Sequence, residues 1–204
     1  MAEKDVLNCR SRRGESRRQQ VLDAAAVCFR QSGFRGASMS DISALAGMST
    51  GHIYHYFKSK EAIVEAIVAR DLDQGLAYIE AAKANDDVLD GIIKQIGESV
   101  VDRKRMSESA LSLEILSEAA RNPTVAQTLV DCKVLVRQKL HEVFEIGQKQ
   151  GSIAGDAPLD AVCTLLNTIY DGITVQSAVN PLFDREAIRT LLPVLVTFLL
   201  RGHA

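Results

Sequence analysis

Apolar residues return every three or four positions along almost the whole of this chain, and period-2 alternation bounded by turns is nearly absent. That spacing predicts an all-α fold of nine helices with no strand. The first stripe, in ESRRQQVLDAAAVCFRQSG, carries Val21, Leu22, Ala25, Cys28 and Phe29 and stops at Gly33, a suitable C-cap. Ser38-Met39-Ser40-Asp41 has the form of a capping box opening a short helix. In that helix Met39, Ile42 and Leu45 are expected to face inward. Gly47 stops it, and a second short helix spans Thr50 to Tyr56.

Longer helices follow. One starts at Lys60, one is expected over Val88 to Arg105 and the next over Ser107 to Ala120. Pro123 disfavours helix in the residue before it and suits a first turn, so a helix of about eight turns should run from there to Gly151. Two more stripes complete the set, one from Leu159 to the stop at Asn180-Pro181, the other from Ile188 to Leu199. Pro193 lies inside the last, where it removes one hydrogen bond and favours a kink.

A chain of 204 residues that is 47% hydrophobic can bury a substantial core. No apolar run reaches the roughly 18 residues of a membrane span. The polar, basic start MAEKDVLNCRSRRGESRR has no apolar h-region. Cys9, Cys28, Cys132 and Cys163 match no metal or redox spacing, so reduced thiols in a cytoplasmic protein are expected. Charge divides unevenly along the chain. Residues 1–61 hold ten Lys+Arg against six Asp+Glu, a net of +4, and the remainder is −6. A basic front suits contact with a polyanion, though a difference of this size also occurs by composition alone.

A helix, a short glycine-bearing turn and a second helix form the layout of a helix-turn-helix. Ser38 to Ala46 is then the supporting helix and Thr50 to Phe57 the recognition helix. Thr50, Gly51 and His52 occupy the end that meets base edges in this motif. Tyr54 and Tyr56 offer hydroxyls to phosphate, and Lys58 and Lys60 offer charge. A core tyrosine at Tyr54 and a solvated charge at Lys60 are the alternatives, with phosphate contact favoured at both motif positions. His52 and His55 sit three apart, but no Cys, Asp or Glu in the next turn completes a metal set. Arg10, Arg12, Arg13, Arg17 and Arg18 form a basic arm that either reaches DNA or stays a solvated tail.

The stretch GFRGASMSDISALAGMSTGHIYHYFKSKEAIV resembles the DNA-binding signature of the TetR family of bacterial transcriptional regulators. The resemblance rests on Gly33-Phe34, Ser38, Asp41-Ile42, Ala46-Gly47, Ser49, Gly51, Tyr54, Tyr56-Phe57, Lys60 and Ile63-Val64, with Val21-Leu22, Ala24-Ala25 and Phe29 ahead of them. Cys28 stands where the family usually has a larger aliphatic, and Tyr56 where histidine is also frequent. The likeness implies a flexible basic arm over 1–15, a DNA-binding domain over 16–61 and a regulatory and dimerisation domain over 62–204. It implies DNA contacts from Arg35, Ser38, Ser49, Thr50, Gly51, His52, Tyr54, His55, Tyr56, Lys58 and Lys60. It further implies a homodimer through the last two helices, about 158–179 and 184–201, that represses transcription from a palindromic operator and is released by a small-molecule inducer. Control by a protein partner, or no ligand at all, is the alternative.

LSLEILSEAARNPTVAQ and YDGITVQ resemble the regulatory domains of betaine-type and multidrug-efflux regulators of that family. In this region the wide apolar stripes suit either a cavity wall or a solid core. Polar residues that interrupt them, Glu114, Glu118, His141, Asn167, Tyr170, Asp171 and Gln176, are candidates for holding a ligand, or else surface groups and satisfied core polar groups. Gly172 inside an apolar helix suggests close packing or a cavity wall. No cofactor or metal is implied, and no nucleophile–base pair or phosphate loop points to an enzyme.

Overall fold

The computed structural model describes the backbone of residues 2–201 and the side chains of 14–103 and 106–201. Among the described residues there are nine helices and no strand. In chain order they are α1 (Ala2–Gly36), α2 (Met39–Leu45), α3 (Thr50–Tyr56), α4 (Lys60–Ala82), α5 (Val88–Val100), α6 (Arg103–Ala119), α7 (Pro123–Gln150), α8 (Leu159–Val179) and α9 (Arg185–Arg201). None is long and apolar enough to cross a membrane. The backbone is helical through the stretch expected as an arm, while the side chains of Arg10, Arg12 and Arg13 lie outside the described residues.

The chain divides into two compact units. One is Met1–Val68 with Glu114–Ala126, the other Ala69–Leu113 with Gln127–Ala204. In the first, Val21, Leu22, Ala25 and Phe29 of α1 are buried, as their helical spacing predicts. The α1 helix breaks at Gly33, whose φ of 69° lies in the left-handed region that costs glycine no Cβ clash. After the break the Phe34 ring turns back onto Phe29, with centroids 5.4 Å apart. Ile42, Ala46, Ile53 and Phe57 from α2, α3 and the residue after it are buried as well.

In the second unit α5 packs along α9, and their inner faces join α7 and α8 in one apolar core. Leu89, Val143, Phe144, Cys163 and Leu200 are fully buried there. The α5 helix starts where Asp87 caps it, its carboxylate accepting from Leu89 N at 2.8 Å and Asp90 N at 3.4 Å. Burial pushes the Cys163 thiol up to about 11, so it behaves as a packed hydrophobe rather than a reactive thiol. Pro193 lies inside α9, which continues to Arg201.

Three expectations are corrected. A break falls at Val101–Asp102, so α5 ends five residues earlier than its apolar stripe suggested. Asp102 accepts the Tyr78 hydroxyl there, and its carbonyl accepts Met106 N at 3.0 Å to open α6. Leu45 is 53% exposed, because the inner face of seven-residue α2 and its C-cap is made by Ile42, Ser43 and Ala46. Gly172 does not pack closely, since it is exposed and a Cβ there would meet nothing within 4 Å.

Close packing does require glycine at position 91, where an added Cβ would stand 2.2 Å from the Ala82 carbonyl oxygen. Gly91→Ala is expected to destabilise the protein by about 1–3 kcal/mol in urea unfolding. Gly97→Ala, whose Cβ would find its nearest neighbour at 3.8 Å, should be neutral or stabilising by up to about 1 kcal/mol.

Candidate functional site

The helix-turn-helix is assembled by local hydrogen bonds that the sequence supplies. Ser38 and Asp41 form the reciprocal capping box of α2, with Asp41 N donating to Ser38 Oγ at 3.1 Å and Ser38 N donating to Asp41 Oδ2 at 2.9 Å. The Ser38 hydroxyl, and then its amide, hold the Asp41 carboxyl below its usual value. Gly47, with φ of 62°, turns the chain after α2, and Met48 N returns to Ser43 O at 3.0 Å. Ser49 then caps α3, its hydroxyl accepting His52 N at 3.3 Å. Ser43 and Thr50 hydroxyls meet at 3.0 Å and bind the two helices to each other. Gln20 on α1 donates to Ala46 O at 2.7 Å, fixing the end of α2.

Ile53 and Phe57 anchor α3 from inside, so its other face is open. Gly51, His52, Tyr54, His55 and Lys58 are exposed, and a Cβ at Gly51 would meet open space. Tyr54 therefore stands outside the core. Tyr56 is half-buried, its ring beside His52 at 5.3 Å and edge-on to His55 at 5.4 Å. Arg18 of the basic stretch lies over the Phe57 ring at 5.1 Å, and Arg17 donates to Gln20.

Lys60 has a different surrounding from the one expected. Its ammonium donates to Phe34 O at 2.6 Å and Ala37 O at 2.7 Å, and it lies 4.6 Å from the centre of the Phe34 ring. These contacts hold the link between α1 and α2. Glu114 grips the same link, its Oε1 accepting Phe34 N at 2.7 Å. Glu118 is 4% exposed, with Arg35 Nε at 3.5 Å and Arg121 Nη2 at 3.9 Å, and its buried Oε2 has no hydrogen-bond partner. Neither glutamate is among the residues lining the cavity of the second unit. Sequence reasoning had no signal for this contact, because Phe34 and Glu114 are 80 positions apart.

Within the second unit lies a cavity of about 200 Å³. Its wall is built by Leu72, Gly75 and Ile79 of α4, Ile92 and Ile96 of α5, Leu140 and Val143 of α7, and Leu166 of α8. Polar groups enter at Asp71, Tyr78, Gln95, Ser99, Asn167 and Tyr170. Two residues chosen from sequence, Asn167 and Tyr170, thus reach this cavity, and the Tyr170 hydroxyl is hydrogen-bonded to Ser99. Asp171 is paired with Lys133, and His141 faces Glu145 at 3.4 Å; neither lines this cavity. Gln176 is exposed near the end of α8, with Asn180 Nδ2 donating to its side-chain oxygen at 3.3 Å. Gln95 and Ser99 went unnoticed in the sequence, since both read as ordinary polar positions of an amphipathic helix.

An exposed α3 on a capped, glycine-turned support defines a helix-turn-helix DNA-binding regulator joined to a helical second unit that encloses a cavity. Residues 21–67 match the family described as "Bacterial regulatory proteins, tetR family", and residues 89–201 match "BetI-type transcriptional repressor, C-terminal". The HTH-type transcriptional regulator UidR of Escherichia coli (strain K12) is 30% identical over 160 residues, covering 76% of this chain and 79% of that one. Among solved structures, Salmonella enterica GusR superposes with a TM-score of 0.79 at 29% identity, over 92% of this chain and 96% of that chain. FadR from Bacillus subtilis, in complex with stearoyl-CoA, superposes with a TM-score of 0.75 at 19% identity, over 91% and 99%. The chain belongs to the TetR family of DNA-binding transcriptional regulators and is not an enzyme.

Removing the Lys60 ammonium leaves two carbonyls of the α1–α2 link without their donor. Lys60→Met is expected to lower stability by about 2 kcal/mol in urea unfolding. Lys58→Met, at an exposed side chain, should stay within about 0.5 kcal/mol of the parent.

Proposed function

We propose that this protein is a homodimeric repressor that leaves a palindromic operator when a small molecule enters the cavity of its second unit. The observation that carries this reading is the pairing, in one chain, of an exposed α3 with an apolar cavity lined from four helices. The cavity favours a small-molecule signal over control by a protein partner alone. FadR, a protein of the same fold, is known in complex with stearoyl-CoA, which is in keeping with a ligand-responsive second unit.

In this reading Gly51, His52 and Thr50 face base edges at the start of α3, with part of the Thr50 hydroxyl's capacity already taken by Ser43. Tyr54, His55, Tyr56 and Lys58 meet phosphates along α3, and Arg35, Ser38 and Ser49 flank them. Lys60 acts indirectly by holding the link before α2. The two recognition helices of a dimer then enter major grooves about 34–36 Å apart.

Dimerisation through α8 and α9 is supported by a row of large apolar side chains left uncovered on them. Val179, Leu191, Val194 and Phe198 are each more than half exposed, more than isolated surface residues require. A second copy placed by a two-fold axis covers the same residues on both partners. The ligand must bind the released form better than the operator-bound form, typically by 1–3 kcal/mol or about 5–150-fold in affinity.

Fluorescence anisotropy with DNA from upstream of the protein's own gene, against a scrambled duplex at two salt concentrations, tests the reading. Sequence-selective binding that weakens with salt is expected, and equal weak binding to both duplexes would refute an autoregulatory operator. Lys58→Met should reduce the slope of log K against log salt by about 1.8, the loss of one phosphate contact from each protomer of the dimer, whereas Lys60→Met should leave that slope unchanged. Leu191→Glu with Phe198→Glu should give monomers in sedimentation and weaken operator binding at least about tenfold, since each half-site alone is bound independently.

A further inference from the structure

We infer that the cavity ligand is an uncharged molecule with an apolar body and one hydroxyl or carboxamide group, received by the amides of Gln95 and Asn167 on the cavity wall. This inference rests on the reading of the cavity as the regulatory site and specifies the chemistry it accepts.

The polar groups on the wall fall into two sets. Ser99 and Tyr170 hydrogen-bond each other, and Ser99 also donates to Ile96 O at 2.8 Å. Tyr78 donates to Asp102. Asp71 lies against Arg70 at 3.5 Å, and Arg70 also reaches Glu108 at 3.6 Å. These four side chains are engaged within the protein. Gln95 from α5 and Asn167 from α8 are not: among the described residues, neither side-chain amide has a hydrogen-bonding or charged partner in the fold. Both are half-buried at the wall of a cavity whose remaining surface is mainly aliphatic.

Each carboxamide presents one acceptor oxygen and two N–H donors. A group that both donates and accepts, such as a hydroxyl or another carboxamide, complements both the oxygen and the N–H groups of these side chains. A carboxylate offers no donor and would enter beside the Asp71 charge. An ammonium offers no acceptor and would have to draw Asp71 away from Arg70. Either ion would also lose its hydration to an apolar wall without a dedicated counter-charge. The volume adds a size limit. A cavity of about 150 Å³ holds benzene, so about 200 Å³ suits a singly substituted ring or a comparable aliphatic body of about eight to twelve non-hydrogen atoms.

The test uses the full-length protein and five probes of one skeleton: phenylacetamide, 2-phenylethanol, ethylbenzene, phenylacetate and phenethylammonium. Dissociation constants are read from amide chemical-shift titrations, which also report whether α5 and α8 are the residues perturbed. Phenylacetamide and 2-phenylethanol should bind at least about tenfold tighter than the two ions, and tighter than ethylbenzene, because the hydrocarbon leaves both amides unpaired. Gln95→Leu and Asn167→Leu, checked for unchanged helical content, should each erase the preference for phenylacetamide over ethylbenzene. Equal or tighter binding of phenylacetate or phenethylammonium at α5 and α8 would overturn the ligand class while leaving the cavity reading intact. So would an amide preference that survives both leucine variants. Failure of all five probes to perturb α5 and α8 would overturn the class and the cavity reading together.

Discussion

The turn between α1 and α2 must satisfy its own peptide groups, and the way it does so governs the DNA-binding unit. Once Gly33 breaks the first helix, the Phe34 N–H, the Phe34 carbonyl and the Ala37 carbonyl have no helical partner. Glu114 accepts from the first, and the Lys60 ammonium donates to the other two. A buried backbone group left unpaired costs as much as a lost hydrogen bond, so these side chains decide where the turn rests. One carboxylate and one ammonium therefore hold three segments of the chain that are far apart in sequence.

With the turn held, the rest of the helix-turn-helix follows from short-range chemistry. Ser38 and Ser49 start the two helices, Gly47 separates them, and the Ser43–Thr50 hydroxyl pair closes the angle between them. Helices of seven residues are too short to be stable alone. They persist here because Ile42, Ala46, Ile53 and Phe57 are buried together with the stripe of α1. That burial leaves Gly51, His52, Tyr54 and His55 outward on a rigid support, the arrangement a surface reading a DNA groove requires.

The second unit obeys a different constraint. Its core around Phe144 and Leu89 is closed, yet the wall between α4, α5, α7 and α8 leaves a gap that aliphatic side chains do not fill. A gap of this kind forfeits packing contacts and lowers stability. Its polar side chains are unevenly engaged, which gives the gap chemical character rather than leaving it a packing fault. On α8 and α9 the outward apolar residues repeat the theme of surface that the single chain leaves uncovered.

Much of this protein was legible in its sequence, because helical period, capping residues and turn glycines are local signals. The nine helices of the described residues, the Ser38 cap, the Gly47 turn and the outward face of α3 needed only neighbours within a few positions. What the linear order concealed was contact across distance. Lys60 reads as a charge free for DNA until Phe34 and Ala37 are found against it. Glu114 and Glu118 read as polar interruptions of a regulatory helix until Phe34 and Arg35 are seen beside them. Asn167 was visible as a polar residue in an apolar stripe, but Gln95, which lines the same cavity, sat on an amphipathic helix where polar residues are ordinary. Periodicity tells which side of a helix faces inward. Only the packing of one helix against another determines whether that inward side meets a core, a carbonyl or a cavity.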